Sequence, residues 1–197
     1  MPKNTDVRVG APDQKVTGAI KHAPVGTTLP DLTNITKAAV TLNQAFTGDE
    51  YVSEDGLTLS PSRSTTEIKD WSGSTVRKVL ESFDGTLSWT MISTNEGALS
   101  IAFGADHVTT AAATTAHGAQ VKAALGAYLP EAQAWVFLMK DGDARIVIAV
   151  PDGQITEVGE VTFASNAAVG WNVTLSCYPD EDGNSIYIMT DDGVVTA

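Results

Sequence analysis

The side chains able to do chemistry in this chain are few and spaced in ways that assemble no familiar site. Zinc needs three or four converging nitrogen or thiolate ligands. The three histidines, His22, His107 and His117, fall in irregular or arm-like sequence, and the spacing of the last two matches no zinc pattern. Asp180, Asp182 and Asn184 have the alternate spacing of the first ligands of a calcium loop, with Asp191 near the closing position. Ser185 stands where such a loop needs glycine, so a hairpin turn is the reading here. Glu157 and Glu160 could share acid and base work only if they faced one substrate, and an i to i+3 pair on a strand points to opposite sides. Trp71, Tyr128 and Trp171 are the aromatic groups from which a sugar-stacking platform could be built, although burial in a core is the commoner use of such residues. The single cysteine, Cys177, cannot close an intrachain disulfide. No G-x-S-x-G elbow, G-x-x-x-x-G-K-[ST] phosphate loop or G-x-G-x-x-G fingerprint occurs. The sequence therefore nominates no catalytic residue, no cofactor-binding residue and no metal ligand.

The elements that would position these groups read as mostly strand. Leu87, Trp89 and Met91 alternate with Ser88 and Thr90, and Trp171, Val173, Leu175 and Cys177 alternate with Asn172, Thr174 and Ser176. Both are half-buried strands by their period of two, which makes Cys177 buried and inert. Further strands are expected at 134–140, 144–150, 155–163 and 185–190, with weaker pairing near 35–41. Thr58 to Ile68, interrupted by Pro61, reads as part of a long exposed hairpin whose corner is Lys69-Asp70-Trp71-Ser72-Gly73, with Val76-Arg77 beginning the return strand. Six Asp-Gly pairs, at positions 55, 84, 141, 152, 182 and 192, supply the chemistry of tight turns between antiparallel strands. One short helix is expected from Asn95-Glu96 to Phe103-Gly104, capped by Ser93 or Thr94. Asp106 to Gly118, rich in Ala and Thr, reads as a surface loop or edge strand.

A chain of 197 residues suits one domain. The division expected is an extended N-terminal arm over 1–34, broken by Pro2, Pro12, Pro24 and Pro30 and ordered against a neighbour, followed by a single β-sandwich domain over 35–197. No apolar run is long enough to span a bilayer, so a soluble, unprocessed chain with no membrane partner is the expectation. The sequons at Asn34 and Asn172 read as chance in the absence of a secretory signal. Twelve basic residues against 24 acidic ones give a formal charge of −12, which argues against grip on nucleic-acid phosphates or anionic lipid. No Lys or Arg follows Arg145, whereas eight acids do, Asp152 and Asp192 being the first and last. An acidic C-terminal part could meet a more basic arm around Lys15 and Lys21 of another copy.

The order of signals from Glu54 to Gly104 resembles the major tail tube protein family of long-tailed, non-contractile bacteriophages. The residues that carry the resemblance are Glu54-Asp55-Gly56-Leu57, Trp71 with Gly73, Val76-Arg77, Asp84 with Thr86-Leu87, Asn95 with Ala98-Leu99, and the final hairpin from Trp171 to Asp192. The resemblance runs from about Ala38 onward. It implies a mainly β fold, an antiparallel β-sandwich or half-barrel with one short helix, an N-terminal arm and an extended hairpin loop. It implies no enzyme and no cofactor, but a virion structural protein assembled in the host cytoplasm. Six copies would close a ring, and stacked rings would form a hollow tail tube built around a tape-measure protein and joined to tail terminator and distal tail proteins. Viral DNA would pass through without tight binding, and a ring of six copies would carry −72 from −12 per copy.

Under that reading the interface segments are Val7 to Pro30, Tyr51 to Ile68 and Asp106 to Gly118. Two other classes of function remain open from sequence: a carbohydrate-binding or adhesin-like β-sandwich using the aromatic trio, and a β-sandwich hydrolase, for which no facing carboxylate pair is identifiable.

Overall fold

A computed structural model describes residues 7–13 and 18–195. Among the described residues ten strands and one α-helix follow in order: β1 (Ala11–Pro12), β2 (Ile20–Pro24), β3 (Val52–Lys69), β4 (Thr75–Met91), α1 (Glu96–Phe103), β5 (Val108–Ala111), β6 (Gln120–Ala123), β7 (Gln133–Asp141), β8 (Ala144–Val158), β9 (Trp171–Tyr178) and β10 (Tyr187–Asp191). The main sheet is antiparallel, with the path β1-β7-β8-β9-β4-β3; β2 also pairs with β7 and β10 with β8. β5 and β6 form a separate two-stranded ribbon. No helix among the described residues is long and apolar enough to cross a membrane.

The sheet curls because β8 changes partners along its length. Its first half, Arg145–Ala149, pairs with β10, and its second half, Asp152–Val158, pairs with β9, while β7 runs along its other edge. The result is a half-barrel with two cores. Inside the curl lie Leu87, Trp89 and Met91 of β4, Trp135 and Phe137 of β7, Ile148, Val150 and Ile155 of β8, and Val173, Leu175 and Cys177 of β9, closed by Ala98, Ile101 and Ala102 of α1. Trp89 meets Trp135 and Phe137 at ring centroids of 5.5 Å and 5.4 Å, tilted and edge-on, the geometry that aromatic quadrupoles favour. Trp135 Nε1 donates to the Gly153 carbonyl at 3.1 Å, so the one polar atom of that indole is satisfied.

The outer face of β7 and β8 carries the second core. Ala134, Val136, Leu138, Val147 and Ala149 are covered there by Ala23, Ile35 and Phe46. Apolar residues on both faces explain why 134–139 reads as an unbroken apolar run rather than an alternating one. They also explain why β2 is a strand of this chain: Ile20–Pro24 pairs with Phe137–Gln133, so the expectation that this stretch orders only against a neighbour is corrected.

The two sequence-derived alternations hold. In β9, Val173, Leu175 and Cys177 are buried while Asn172 and Tyr178 are exposed. Burial pushes the Cys177 thiol up to about 12, because a thiolate there has no water to solvate it. Alkylation by iodoacetamide at pH 8 is therefore expected to run on the order of a thousandfold slower on the native protein than on the urea-unfolded chain. Comparable rates, read by mass spectrometry, would contradict this burial.

Three Asp-Gly pairs are not hairpin turns. Asp55-Gly56 lies in an irregular stretch of β3, where the register shifts between Val52 and Leu57. Asp152-Gly153 lies within β8 next to the change of partner, so the two strands expected at 144–150 and 155–163 are one, ending at Val158. Asp84-Gly85 lies within β4, at the point where that strand leaves the body: Gly85 is the first residue paired to β9, opposite Cys177. A Cβ on Gly85 would come within 2.6 Å of Ile186 Cδ1, so glycine serves close approach here. Asp141-Gly142 does join β7 to β8, and Asp182-Gly183 turns between β9 and β10.

Helix α1 forms where expected, but its cap is Asn95, whose Oδ1 accepts from Ala98 N at 2.9 Å. The two residues proposed for that role are engaged elsewhere: Ser93 Oγ accepts from Tyr51 N at 2.9 Å, and Thr94 Oγ1 accepts from Trp171 Nε1 at 3.3 Å.

Candidate assembly surface

Beyond Pro61 and Gly85 the β3–β4 hairpin leaves the body, and its residues pair only with one another, out to Lys69 opposite Thr75. Thr75 to Asp84, the outer ten residues of β4, are all exposed, so at about 3.3 Å per residue the arm projects roughly 33 Å. A free two-stranded ribbon is marginally stable in water. Here the polar contacts along it are exposed: Lys78 Nζ lies 3.1 Å from Glu67, Thr75 Oγ1 donates to Glu67 at 3.0 Å, Ser64 Oγ donates to Glu81 at 3.3 Å, and the Arg63 guanidinium sits 5.4 Å from the Phe83 ring centroid. Such pairs contribute about 0–1 kcal/mol each. They fix local shape and do not replace a core.

The arm nevertheless exposes Ile68, Trp71, Val76, Val79, Leu80 and Phe83 to solvent. Six large apolar side chains left exposed on one projecting arm mark a place where another molecule sits. Sequence reasoning placed the interface on Tyr51 to Ile68 and so missed the return strand, which holds four of these six residues. Register shifts between Ser64 and Thr65 and between Ile68 and Lys69 insert extra residues into β4 and break the period of two that would have revealed them.

The tip is well ordered by its own chemistry. Asp70 Oδ1 accepts from Ser72 Oγ at 2.6 Å and from Ser74 N at 2.9 Å, and Gly73 N donates to the Asp70 carbonyl at 3.0 Å with Gly73 at φ +87°. The Ser72 hydroxyl, followed by the Ser74 amide, holds the Asp70 carboxyl below its usual range.

Sheet edges form the second part of the surface. Among the described residues β3 pairs only with β4, β10 only with β8, and β2 only with β7 apart from a bridge from His22 to Thr47. Open backbone edges are templates for pairing with another chain. In the N-terminal segment Val7 and Val9 are exposed, and the ribbon of β5 and β6 presents mostly exposed residues.

One contact that sequence reasoning missed holds the N-terminal region to the body. Arg145 of β8 is 2% exposed; its Nη1 pairs with Asp13, its Nε donates to the Thr36 carbonyl at 2.8 Å, and its Nη2 donates to the carbonyls of Lys37 and Ala38 at 3.1 and 2.8 Å. Lys37 also pairs with Asp143 at 2.7 Å. Lys15 lies outside the described residues. Lys21 is engaged within its own chain, with Nζ 2.6 Å from the Gly48 carbonyl and 3.2 Å from Asp49 Oδ1, so it is not a free charge for another copy.

The groups considered for catalysis or binding are not brought together. Trp71 is at the hairpin tip, Trp171 packs edge-on against Phe103 at 5.6 Å, and Tyr128 stacks on His107 at 3.5 Å. His22 lies against Trp135 at 5.2 Å and His117 is in the loop between β5 and β6. Asp180 accepts from Tyr187 Oη, Asp182 N and Asn184 N, which is turn chemistry. Glu157 is an exposed residue of β8 and Glu160 lies past the strand's end. Among the described residues no group of three or more His, Cys, Asp or Glu is placed to hold a metal.

An open-edged half-barrel with a projecting apolar arm and dispersed titratable groups is the architecture of an assembly subunit. The family model described as "Phage tail tube protein" matches residues 3–197. The chain belongs to that family, and it is a structural protein of the phage tail. No curated protein matches the chain. Among solved structures, it is similar at 13% identity and a TM-score of 0.46 to a chain of the anti-feeding prophage cap (AFP tube terminating cap), covering 94% of this chain and 96% of that one. It is similar at 11% identity and a TM-score of 0.39 to a chain of the virion of a native gene transfer agent particle, covering 76% of this chain and 92% of that one.

Proposed function

We propose that six copies of this protein close into a ring, and that rings stack into the hollow tail tube of a long-tailed, non-contractile phage. The tube conducts the viral genome into the host. The exposed apolar hairpin is the observation that carries this reading: a family member that leaves six large apolar side chains on a projecting arm needs a second subunit to cover them. The open edges of β3 and β10 supply backbone pairing for lateral closure.

The remaining partners follow from the tube. A tape-measure protein occupies the lumen during assembly in the host cytoplasm, and tail terminator and distal tail proteins meet the two ends. A charge of −12 per copy repels phosphate, so DNA passes without counterion-release binding. The working unit is a single domain into whose sheet β1 and β2 of the N-terminal region are built, and no residue works as a catalyst, cofactor ligand or metal ligand.

Sedimentation velocity tests this reading. With rising concentration the purified protein should pass from a slow species to one many tens of subunits in size, and labelled duplex DNA added at about 50 mM salt should not co-sediment. A monomer at every concentration that is retained on a glycan array would replace the reading with the adhesin one.

A further inference from the structure

Trp71, at the hairpin tip, is 105% exposed. The Asp70 turn fixes its backbone, so docking it costs little ordering entropy. Lys69, Arg77 and Lys78 surround the tip, and Arg77 forms no ion pair among the described residues. On β10, separated from this hairpin in the sheet path by β8, β9 and the body part of β4, there is an open groove of about 620 Å³. Leu29, Leu32, Tyr187, Ile188 and Met189 line it, with Asp31 and Asp180 among its polar groups. Leu32 and Ile188 are 68% and 57% exposed, uncovered by any described residue. The concavities beside α1 are smaller, about 120 and 200 Å³.

Resting on the self-assembly reading above, we propose that this groove is the socket for the hairpin tip of a second copy, with Trp71 seated on Leu32 and Ile188 and Arg77 facing Asp31 and Asp180. Size and charge select the pairing. An indole brings about 150–250 Å² of surface to bury, and Arg77, the tip cation left without an ion pair among the described residues, meets an anionic rim in a chain that is otherwise strongly acidic. Both carboxylates stay ionised through the neutral range: hydrogen bonds from Thr33 hold Asp31 low, and that from Tyr187 holds Asp180 low. Knob and socket lie on different parts of the subunit, so a one-way contact leaves a free knob at one end and a free socket at the other and propagates.

Cysteine cross-linking tests it in assembled protein. Ser72→Cys beside the knob and Leu32→Cys at the socket should form an intersubunit disulfide in the pelleted assembly, while Ser72→Cys with Thr110→Cys on β5 should not; buried Cys177 does not compete. Assembly without the Ser72–Leu32 link, or with the Thr110 link instead, overturns the socket and leaves self-assembly standing. Absence of assembly by the wild-type chain overturns both. Independently, Ile188→Asp should raise the concentration threshold for assembly at least about tenfold while Trp71→Phe leaves it within about twofold. An unchanged threshold for Ile188→Asp refutes the socket even if the cysteine variants fail to fold.

Discussion

Replacing Arg145 with methionine is expected to destabilise the subunit by about 3–5 kcal/mol, the cost of removing one partner from a buried ion pair. The side chain fills its site at 2% exposure and satisfies four acceptors: the Asp13 carboxylate and the carbonyls of Thr36, Lys37 and Ala38. Methionine retains much of the volume and supplies no donor, so those acceptors lose both water and protein partners. Adding Asp13→Asn to the methionine variant should recover part of the loss by removing the stranded charge, a coupling that a double-mutant cycle isolates. Urea unfolding of dilute protein measures both: the midpoint falls and the slope stays constant. A methionine variant within about 0.5 kcal/mol of wild type would show that this contact does not hold the N-terminal segment in place.

Excising residues 63–83 and joining Ser62 to Asp84 through Asn-Gly should separate folding from assembly. The two cores draw on β3 and β4 only through Val52, Leu57 and Leu59 and through Leu87, Trp89 and Met91, all on the body side of the excision. The shortened subunit should therefore unfold within a few degrees of wild type, since changes remote from core, caps and buried polar networks are usually small. Assembly should vanish. Covering a large apolar side chain is worth about 1.5–3 kcal/mol, so losing three from each contact removes at least about 4 kcal/mol, a thousandfold change in association constant. Light scattering of the two proteins at equal concentration reads the difference; equal scattering would remove the arm from the interface.

Where one face of a strand is buried, the sequence was readable. Leu87 to Met91 and Trp171 to Cys177 alternate because β4 and β9 set one face on the inner core, and the helix was legible from its apolar side and terminal Gly104. Three features were hidden for different reasons. Asp84-Gly85 and Asp152-Gly153 have turn chemistry, yet tertiary pairing carries β4 and β8 straight through them. The apolar return strand of the arm was masked by bulges that shift its period. Arg145 had no local signal at all, because its partners lie 107 to 132 residues away in sequence. Of the interface segments, the exposed hairpin was legible from Pro61 and weak alternation, whereas the engagement of Lys21 by Asp49 depends on how β2 lies beside the loop at Gly48 and could not be read from residue types.

Electron microscopy of the purified wild-type subunit over a rising concentration series tests the central claim most directly. Hollow filaments are expected, with end-on averages that show a six-fold annulus around an open bore, absent from parallel grids of the arm-excised protein. Dispersed single particles at every concentration, or solid fibres that form equally well without the arm, would contradict it.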